Sequence, residues 1–591
     1  MSLQPKDASP HRLIFLADPQ IIDPHSYPGR PWPLSSLTIL ITDNYLRRGY
    51  KSLERRLHPD SLFFLGDLFD GGREWKTQRG EFVDPRWGRQ RSGDEARWVD
   101  TWHRRYGEDF WLREYARFGD IFFGHWNDGG EVPGAWQRGR KLVASLPGNH
   151  DLGFGAQVQV PVRERFEAFF GDGNRVDVVG NHTVVSVDSV SLSAGSSEFK
   201  DKHDLSPIFG PVNEFLDQVK GAKRRAALEE LRVWHDIETT PRFEHSVGEL
   251  GSTRPTGLDQ KKTEEGPDFP TILLTHVPLY REPGTPCGPK REHWPPAKPP
   301  KGQTDPVLPD HRNAISVSGG YQYQNVLSDA DSQRLVRSVG NVVHVFSGDD
   351  HDYCELVHAD ARGGVREITV KSNSMAMGVP TPGFVMASLW NPVDDKGRPL
   401  PGSPETTLQT HLCLLPNQIH TYMKYVAFIV LTLVLLVVRA LLVPVLNLTP
   451  FAIDAAELSA YSQLLPVHVH AKRKVEPPVH RPGGVPQPQP PLTSSSTSAW
   501  PRARSSSLVP DGRWQASKSR TTGKGAHHHH HHHQGWSRGP RINLDEQFYD
   551  PRDARVGGTK ALGVVGREMW TSTWRVAWVA VLFWVYLSRE K

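Results

Sequence analysis

Residues 61–70 read SLFFLGDLFD, an apolar run that ends abruptly in glycine and aspartate. A run of four to eight apolar residues bounded by glycine or polar residues is typical of a buried β-strand. Such a strand delivers the cluster Gly66-Asp67-Leu68-Phe69-Asp70 at its C-terminal end. The stretch therefore predicts a core strand with a polar site where the strand stops.

The same pattern recurs elsewhere in the chain. The other runs are LIFLAD (13–18), KLVASLPGNHD (141–151), TILLTH (271–276) and VVHVFSGDDH (342–351). Helix-like stretches lie between them, at 36–57, 160–170 and 222–237. Alternating strands and helices predict one α/β domain of layered sheets, extending to about residue 410.

Long polar segments interrupt this predicted core. They are expected to be loop regions, at 71–140, 239–269 and 281–325. Loops of that length are usually functional or disordered, and the first and third directly follow polar clusters. We therefore expect the first and third to shape a substrate site.

Charge and cysteine content restrict the function classes only loosely. A net charge of +4, from 70 basic and 66 acidic residues, gives no reason to expect a nucleic-acid partner. The three cysteines are too few for a disulfide framework, although they permit one bridge in an oxidising compartment. Cys354 either pairs with Cys287 or is a small buried hydrophobe.

The C-terminal third has two hydrophobic segments. Residues 422–448 are long and apolar enough to span a bilayer, with Arg439 as the only charge within the apolar run; a buried core helix is the alternative. Residues 569–588 are shorter and rich in tryptophan, and either span the membrane or lie at its surface. The opening residues have no apolar region typical of a signal peptide.

Between these segments, residues 449–568 are expected to form a disordered low-complexity linker. Seven consecutive histidines, 527–533, lie within it; they are a metal-binding tract, low-complexity drift or an expression tag. By the positive-inside rule the basic linker faces the cytosol, so the α/β domain is expected on the opposite, luminal side.

Taken together, the strand-end clusters predict a two-metal site. Two divalent cations repel each other unless carboxylates lie between them, and Asp67 fits the bridging position. Gln20 and Asn149 offer amide oxygens, while His276 and His351 offer imidazoles. Mixed oxygen and imidazole ligation suits Mn, Fe or Zn better than Ca²⁺. Any one of these clusters alone is equally well explained as a turn, a helix cap or a structural histidine.

Two neighbouring residues are candidates for proton transfer. His150 would lie beside the metal pair as a proton donor or charge stabiliser, and Asp151 would orient it.

The GDxxD and GNHD motifs and the later histidine clusters resemble the calcineurin-like metallophosphoesterase superfamily over residues 12–360. The resemblance implies a sandwich of two mixed sheets flanked by helices, here followed by C-terminal transmembrane helices. It implies a first metal held by Asp18, Gln20, Asp67 and His351. It implies a second metal held by Asp67, Asn149, His276 and Asp349, with His150 as the catalytic histidine.

Two motifs depart from the superfamily pattern. The first usually reads D-x-H and here is Asp18-Pro19-Gln20; the last usually reads G-H-x-H and here is Gly348-Asp349-Asp350-His351. Both substitutions keep an oxygen donor, so metal binding is expected to persist. Exchange of imidazole for oxygen favours harder ions, which indicates Mn²⁺ over Zn²⁺.

Longer strings resemble one subgroup, the eukaryotic GPI-remodelling phosphodiesterases. The strings are ADPQIIDPHSYPGRPWP (17–33), THVPLYREPGTPCGPKRE (275–292), GYQYQN (320–325) and FSGDDHDYCELVH (346–358). This resemblance implies removal of an ethanolamine-phosphate branch from a mannose of the GPI glycan. It also implies that the substrates are GPI-anchored proteins in the endoplasmic reticulum or early Golgi, whose export the reaction aids.

Substrate contacts are harder to assign from the sequence. Tyr27 and Arg30 follow the first cluster and either line the pocket or form a turn. Arg281 and Arg291 follow His276 and either clamp a phosphate through bidentate donors or lie in a solvated loop. The alternative functions are hydrolysis of another phosphoester (nucleotide, nucleic acid, sugar or lipid phosphate) and a non-catalytic membrane scaffold.

Overall fold

The computed structural model describes residues 10–80, 83–128, 140–235, 266–292, 313–446, 448, 451 and 558–589. The chain divides into two compact units. The first comprises Met1–Leu431 and Tyr586–Lys591, and the second comprises Thr432–Val585. Most of the predicted linker, including the histidine run, lies outside the described residues.

The strands of the first unit form two mixed sheets and a short hairpin. They are β1 (His11–Leu16), β2 (Ser61–Phe64), β3 (Lys141–Val143), β4 (Arg175–Val179), β5 (His182–Val187), β6 (Thr271–Thr275), β7 (Gly319–Gly320), β8 (Tyr323–Gln324), β9 (Val342–Ser347), β10 (Cys354–Val357), β11 (Arg366–Thr369), β12 (Gly383–Leu389) and β13 (Leu408–Leu414). The first sheet has the order β13-β12-β1-β2-β3 and the second the order β10-β11-β9-β6-β5-β4.

The helices cover the outer faces or follow the sheets in sequence. They are α1 (Leu34–Leu57), α2 (Gly93–Arg105), α3 (Glu108–Ile121), α4 (Phe123–Asp128), α5 (Asn149–Leu152), α6 (Val160–Phe170), α7 (Ser189–Leu192), α8 (Ser206–Trp234), α9 (Asp329–Val339), α10 (Gln418–Leu446) and α11 (Gly558–Arg589).

Strand β1 shows how the two layers are built from its sequence. Because successive side chains of a strand point to opposite faces, Leu13 and Phe15 face one way and Ile14 the other. Leu13 and Phe15 belong to the core between the sheets, where the Phe15 ring stacks on Phe346 with centroids 4.0 Å apart. Ile14 belongs to the core under the helices. A strand apolar on both faces is buried on both, so the predicted layered α/β sandwich is confirmed.

The prediction that residues 71–140 form a loop region is wrong, because α2, α3 and α4 lie within them. The Ser92 side chain accepts a hydrogen bond from the Glu95 backbone and so caps α2. Trp111 and Phe118 of α3 are buried against the first sheet's helical layer. The abundance of arginine and glycine obscured an apolar spacing that is helical.

One disulfide joins the predicted loop region 281–325 to the second sheet. Cys287 and Cys354 are bonded, 67 residues apart in sequence, and both side chains are 1% exposed. Cys354 begins β10, three residues after His351, so the bridge ties the segment after His276 to the last polar cluster. Cys413 is the free cysteine.

Helix α10 is the candidate membrane span among the described residues. Its 29 residues correspond to a length of about 43 Å, enough to cross a hydrocarbon core of about 30 Å. Within the second unit, Arg439 of α10 lies 3.8 Å from Glu568 of α11, and its guanidinium lies 3.7 Å from the centre of the Phe451 ring. A charge within an apolar helix is thus paired rather than isolated.

Candidate metal centre

The polar clusters predicted at strand ends meet at one edge of the sandwich. The candidate ligands follow the C-terminal ends of β1, β2, β3, β6 and β9, which run in parallel within their sheets. We call the following residues the metal centre: Asp18, Gln20, Asp67, Asn149, His276, Asp349 and His351.

Asp67 lies in the middle of the metal centre and is 1% exposed. Its carboxylate accepts hydrogen bonds from Gln20 Nε2 (2.6 Å) and the His150 backbone N–H (2.8 Å), and lies 3.5 Å from His276 Nε2. Burial opposes ionisation, but the neighbouring His276 and His150 hold the pKa of Asp67 below its usual range. Asp67 is therefore a carboxylate placed between both predicted ligand sets, as a bridging ligand must be.

Gly148 permits this arrangement because it has no side chain. A Cβ atom at Gly148 would lie 2.1 Å from Asp67 Oδ1, a distance that no neighbouring group could relieve without moving the carboxylate. The glycine of the GNHD motif is thus required by close approach to the central ligand.

His276 is fully buried and its ring orientation is fixed. Nδ1 lies 2.7 Å from the Leu65 carbonyl oxygen, so Nδ1 carries the proton and donates. Nε2 then faces Asn149 Oδ1 at 3.0 Å and Asp349 Oδ1 at 3.6 Å. Burial opposes the charged ring, but Asp67, Asp349 and Asp18 raise the pKa of His276 well above its ordinary value, as expected where carboxylates gather to offset a positive charge. A backbone carbonyl that fixes one ring nitrogen, and so directs the other at the site, is usual for a histidine metal ligand.

Asn149 is oriented by a residue that the sequence did not single out. Its Nδ2 donates to the carbonyl oxygen of Gln322 (3.1 Å), which leaves Oδ1 directed at His276 and the rest of the metal centre. Gln322 lies in the GYQYQN string and contributes only a backbone atom to this bond. No side-chain pattern could have indicated that role.

The first predicted ligand set contains buried oxygens without a protein partner. Carboxylate and imidazole atoms of Asp18, Asp67 and His351 all lie within 4.8 Å of one another. Asp18 Oδ2 and Gln20 Oε1 are buried and accept no hydrogen bond from the described residues. Burial raises the pKa of Asp18 well above its ordinary value, although His276 opposes this. These unsatisfied acceptors fit a bound cation, since a cation removes the cost of burying them.

The backbone is strained at these residues. Asp18, Gln20, Asp67, Asp349 and His351 all have positive φ, between 32° and 69°. Left-handed backbone is unfavourable for residues with a Cβ and concentrates at functional sites. Five of the seven residues of the metal centre are therefore held in conformations that the surrounding structure must impose.

The structure corrects the predicted role of Asp151 as the residue that orients His150. The Asp151 carboxylate instead accepts from the backbone N–H groups of Leu68, Phe69 and Gly148, at 2.9 to 3.2 Å. It therefore joins the GDxxD and GNHD loops to each other. Burial raises the pKa of Asp151 to about 7, with the Asp67 charge adding to the effect.

Asp70 orients His150 in its place. His150 Nδ1 lies 2.6 Å from the Asp70 carbonyl oxygen and 3.3 Å from its carboxylate. Burial opposes ionisation, yet hydrogen bonding from His25 and the nearby His150 hold the pKa of Asp70 below its usual range. The carboxylate therefore stays charged beside the candidate proton donor.

His25 lies on the other side of Asp70. Its Nδ1 is 3.4 Å from the Asp70 carboxylate and its Nε2 is 3.6 Å from that of Glu95. Despite burial, these two carboxylates raise the pKa of His25 to about 9. The raised pKa favours the charged form of His25, which supports the Asp70 charge.

Of the four predicted substrate contacts, two arginines are engaged by protein carboxylates. Arg281 is 2% exposed and donates to Glu367 (2.8 Å), so it is part of the core beneath the disulfide. Arg291 donates to Asp350 (2.5 Å), between the two ligands of the last motif, and so braces that loop. A phosphate would have to displace these partners before either guanidinium could clamp it.

The other two predicted contacts, Tyr27 and Arg30, are exposed on the loop after the first motif. The Arg30 guanidinium lies 3.8 Å from the centre of the Tyr27 ring and donates to Thr38 Oγ1 (2.7 Å). A substrate role for this pair stays a prediction.

Replacing Asp70 by Asn is expected to lower kcat about tenfold to a hundredfold, because the candidate proton donor loses the charge that orients and supports it. KM and the metal content of the purified protein should stay close to wild type, since Asp70 is not in the metal centre. Steady-state kinetics with an aryl phosphodiester measure the first, and elemental analysis the second. The exposed Asp94→Asn change in α2 is the matched control. If metal content and kcat fall together, Asp70 instead holds the metal ligands in place.

Comparison with known proteins found curated relatives and similar folds, while no family model matches the chain. The chain is 32% identical over 418 residues to Cell division control protein 1 of Saccharomyces cerevisiae, covering 70% of this chain and 62% of the relative. It is 24% identical over 346 residues to Metallophosphoesterase 1 of Xenopus laevis, covering 58% of this chain and 62% of the relative. The chain thus spans less than two thirds of each relative. A dimetal phosphatase from Danio rerio is structurally similar at a TM-score of 0.28 and 12% identity, covering 65% of this chain and 94% of that chain.

Proposed function

Because this chain is a calcineurin-like metallophosphoesterase, we propose that it hydrolyses a phosphodiester at its metal centre with two divalent cations. The observation that carries the proposal is the convergence of seven oxygen and imidazole donors from five strand ends, including buried oxygens without a protein partner that a cation would satisfy. When bound, the two cations would produce a nucleophile from water at neutral pH and stabilise charge on the phosphoryl oxygens.

The protein groups have distinct tasks in this proposal. Asp67 would hold both cations, and the amide oxygens of Gln20 and Asn149 would add neutral donors without adding negative charge that repels the other carboxylates. His150 is half-exposed at the rim, held by Asp70, and would give its proton to the leaving oxygen. Five of the seven donors are oxygens, which supports Mn²⁺ over softer ions.

We propose further that the substrate is an ethanolamine-phosphate branch on a mannose of the GPI glycan. The strings that resemble the GPI-remodelling phosphodiesterases surround the metal centre. String 17–33 carries Asp18 and Gln20, and string 320–325 carries the Gln322 carbonyl that orients Asn149. The remaining two strings, 275–292 and 346–358, are joined by the disulfide. The resemblance therefore lies in the residues that would shape substrate binding.

The proposed location is the membrane of the endoplasmic reticulum or early Golgi, with the sandwich on the luminal side. Helix α10 supplies the membrane segment. A buried disulfide beside the metal centre supports an oxidising compartment, since such bonds are rare in the cytosol. The basic residues 472–474, beyond α10, support a cytosolic position for the opposite end of that helix.

Expression of this chain in cells that lack the activity tests the substrate. We expect wild-type chain to remove one ethanolamine-phosphate from the GPI glycans of those cells, as read by glycan mass spectrometry. The Asp67→Asn variant, expressed at the same level, should leave the branch in place. Unchanged glycan masses with a wild-type chain that still hydrolyses an aryl phosphodiester would refute the GPI assignment and leave the chemistry intact.

A further inference from the structure

The strand register places the metal centre and the start of the membrane helix at the same edge of the first sheet. Strands β1 and β13 both pair with β12 in antiparallel fashion, so β13 runs parallel to β1. Phe15 pairs with Val385, and Leu414 pairs with Gly383, two residues before Val385 in β12 and so opposite the position of Ala17. Leu414 is therefore level with Ala17, beside Asp18, and about 10 Å away across two strand spacings.

Helix α10 leaves the sandwich directly from that edge. It begins at Gln418, four residues after Leu414. From Ile419 to Leu431, all side chains except partly covered Thr421 are exposed within the described residues. Because no part of this first-unit stretch packs back along the sheet, the bilayer that receives α10 must start close to the edge that holds the metal centre.

Helix α1 lies against this exit point. Tyr45 donates from its hydroxyl to the Pro416 carbonyl oxygen (3.1 Å), and Gly49 packs near the Leu415 side chain. Arg48 donates to the carbonyl oxygen of Leu587, near the end of α11 (3.2 Å). The middle of α1 is thus in contact with the chain where it enters α10 and where α11 ends.

The first two turns of α1 and the residues before them carry an apolar surface that is in part exposed. We call this the apolar edge: Trp32, Leu34, Leu37, Ile39, Leu40 and Ile41. Trp32, Leu34 and Ile41 are exposed, Trp32 to 81%. Leu37, Ile39 and Leu40 are partly covered by the part of the chain that the structure describes. The first buried residue of the helix is Thr42. Large exposed apolar side chains that lie together on a folded domain, as Trp32, Leu34 and Ile41 do, mark an interaction surface.

We propose that the apolar edge inserts into the surface of the bilayer that α10 spans, so that the metal centre faces the lipid headgroups. The occupant is the membrane because the apolar edge continues along α1 from the point where the membrane helix leaves, about 16 Å or less away along the helix axis. An amphipathic helix end with an exposed tryptophan and nearby arginines suits the interfacial region. Arg30 and Arg48 are exposed on the same element and loop.

The consequence is a restriction on substrate class. The loop from Gln20 to the apolar edge begins at the metal centre, so a metal centre docked this way reaches phosphodiesters close to the membrane surface. This inference rests on the membrane anchor that is part of the proposed function. It does not depend on the proposed hydrolysis of a phosphodiester. It favours headgroup-proximal phosphodiesters of a lipid-linked glycan over soluble nucleotides.

Depth-dependent fluorescence quenching of the full chain tests the proposal. The chain is reconstituted in phosphatidylcholine vesicles with Cys413→Ser as background, and bimane is attached at Leu34→Cys or Ile41→Cys. Val233→Cys is the control, an exposed apolar residue in the last turn of α8, beside the opposite end of the second sheet. Phosphatidylcholine carrying a nitroxide near its headgroup should quench the labels at 34 and 41 about twofold or more, and the label at 233 hardly at all.

Two results would overturn the proposal. In the first, the labels at 34 and 41 resist the lipid nitroxide and are quenched by aqueous iodide as fully as the label at 233. In the second, they resist both quenchers, which would place protein, such as a second copy of the chain, over the apolar edge. Either result obtained with a chain that still trims the GPI glycan would leave the proposed function standing.

Discussion

The Asp67→Asn variant is expected to lose phosphodiester hydrolysis by about a thousandfold or more in kcat/KM, because several kcal/mol of transition-state stabilisation depend on both cations. An amide at this position is neutral and cannot offset the repulsion between two divalent ions. It also replaces an acceptor of two hydrogen bonds, from Gln20 and the His150 backbone. Kinetics with an aryl phosphodiester at saturating Mn²⁺ measure the loss.

The metal content of the variant shows whether its activity is lost through weaker metal binding. Elemental analysis should show that metal bound to the Asp67→Asn chain falls to about half or less of the wild-type amount, since ligand loss weakens both sites. Asp94→Asn, an exposed carboxylate of α2, should match wild type in both measurements. Wild-type metal content and wild-type rate in the Asp67→Asn chain would contradict the two-metal interpretation.

The positions of the ligands could be predicted because each follows an apolar run. Parallel strands bring their C-terminal ends to one edge, so Asp18, Asp67 and His276 had to converge once the runs were identified as strands. Local sequence decides this arrangement, and the structure places all seven candidates together. Apolar runs that end in polar residues therefore predict that ligands more than 300 residues apart in the chain lie together in the fold.

The partners of these ligands could not be predicted in the same way. Asp70 and Asp151 are both carboxylates next to motif residues, and nothing in their spacing distinguishes the one that faces His150 from the one that caps backbone N–H groups. The distinction depends on how two loops pack. Arg281 shows the same limit, because Glu367, its partner, lies 86 residues away on β11.

The helical segment between Ser92 and Ile121 was missed for a different reason. Its buried tryptophans, Trp102 and Trp111, lie in a stretch rich in arginine, and some arginines in and beside it pair with acidic residues of neighbouring elements, as Arg117 does with Asp43 of α1. Arg91, for example, lies 2.9 Å from Glu74, which is completely buried. In a sequence, a charged residue indicates solvent exposure even when an acidic partner elsewhere in the fold neutralises it. The sequence therefore predicts a loop where the structure has helices.

Glu367→Gln is expected to destabilise the sandwich by about 3–5 kcal/mol, because it leaves the buried Arg281 without a counter-charge. The Glu367 carboxylate is 1% exposed and accepts from Arg281 (2.8 Å), His358 (2.6 Å), Ser347 (2.7 Å) and the Leu279 backbone (3.1 Å). Burial opposes its charge, yet Arg281 and His358 lower the pKa of Glu367 to about 2. Thermal unfolding of the full chain in detergent should show a melting temperature lower by about 5–10 °C.

The pH dependence follows from the depressed pKa. A carboxyl group whose pKa is lower in the folded state stabilises that state above the unfolded value of about 4.5 and loses this contribution as the pH falls towards 2. The difference in stability between wild type and Glu367→Gln should therefore be constant near neutral pH and shrink below pH 4.5. Glu164→Gln, whose partner Arg79 is an exposed surface residue, should change stability by less than about 1 kcal/mol.

A double-mutant cycle decides whether Arg281 is a structural cation or a phosphate clamp. If Arg281 and Glu367 stabilise each other in the core, Arg281→Met combined with Glu367→Gln should cost clearly less than the sum of the two single changes. A clamp would give additive stability changes and a raised KM for Arg281→Met alone. The buried ion pair and its neighbouring disulfide support the first outcome, because a guanidinium this deeply engaged has no donor directed towards solvent.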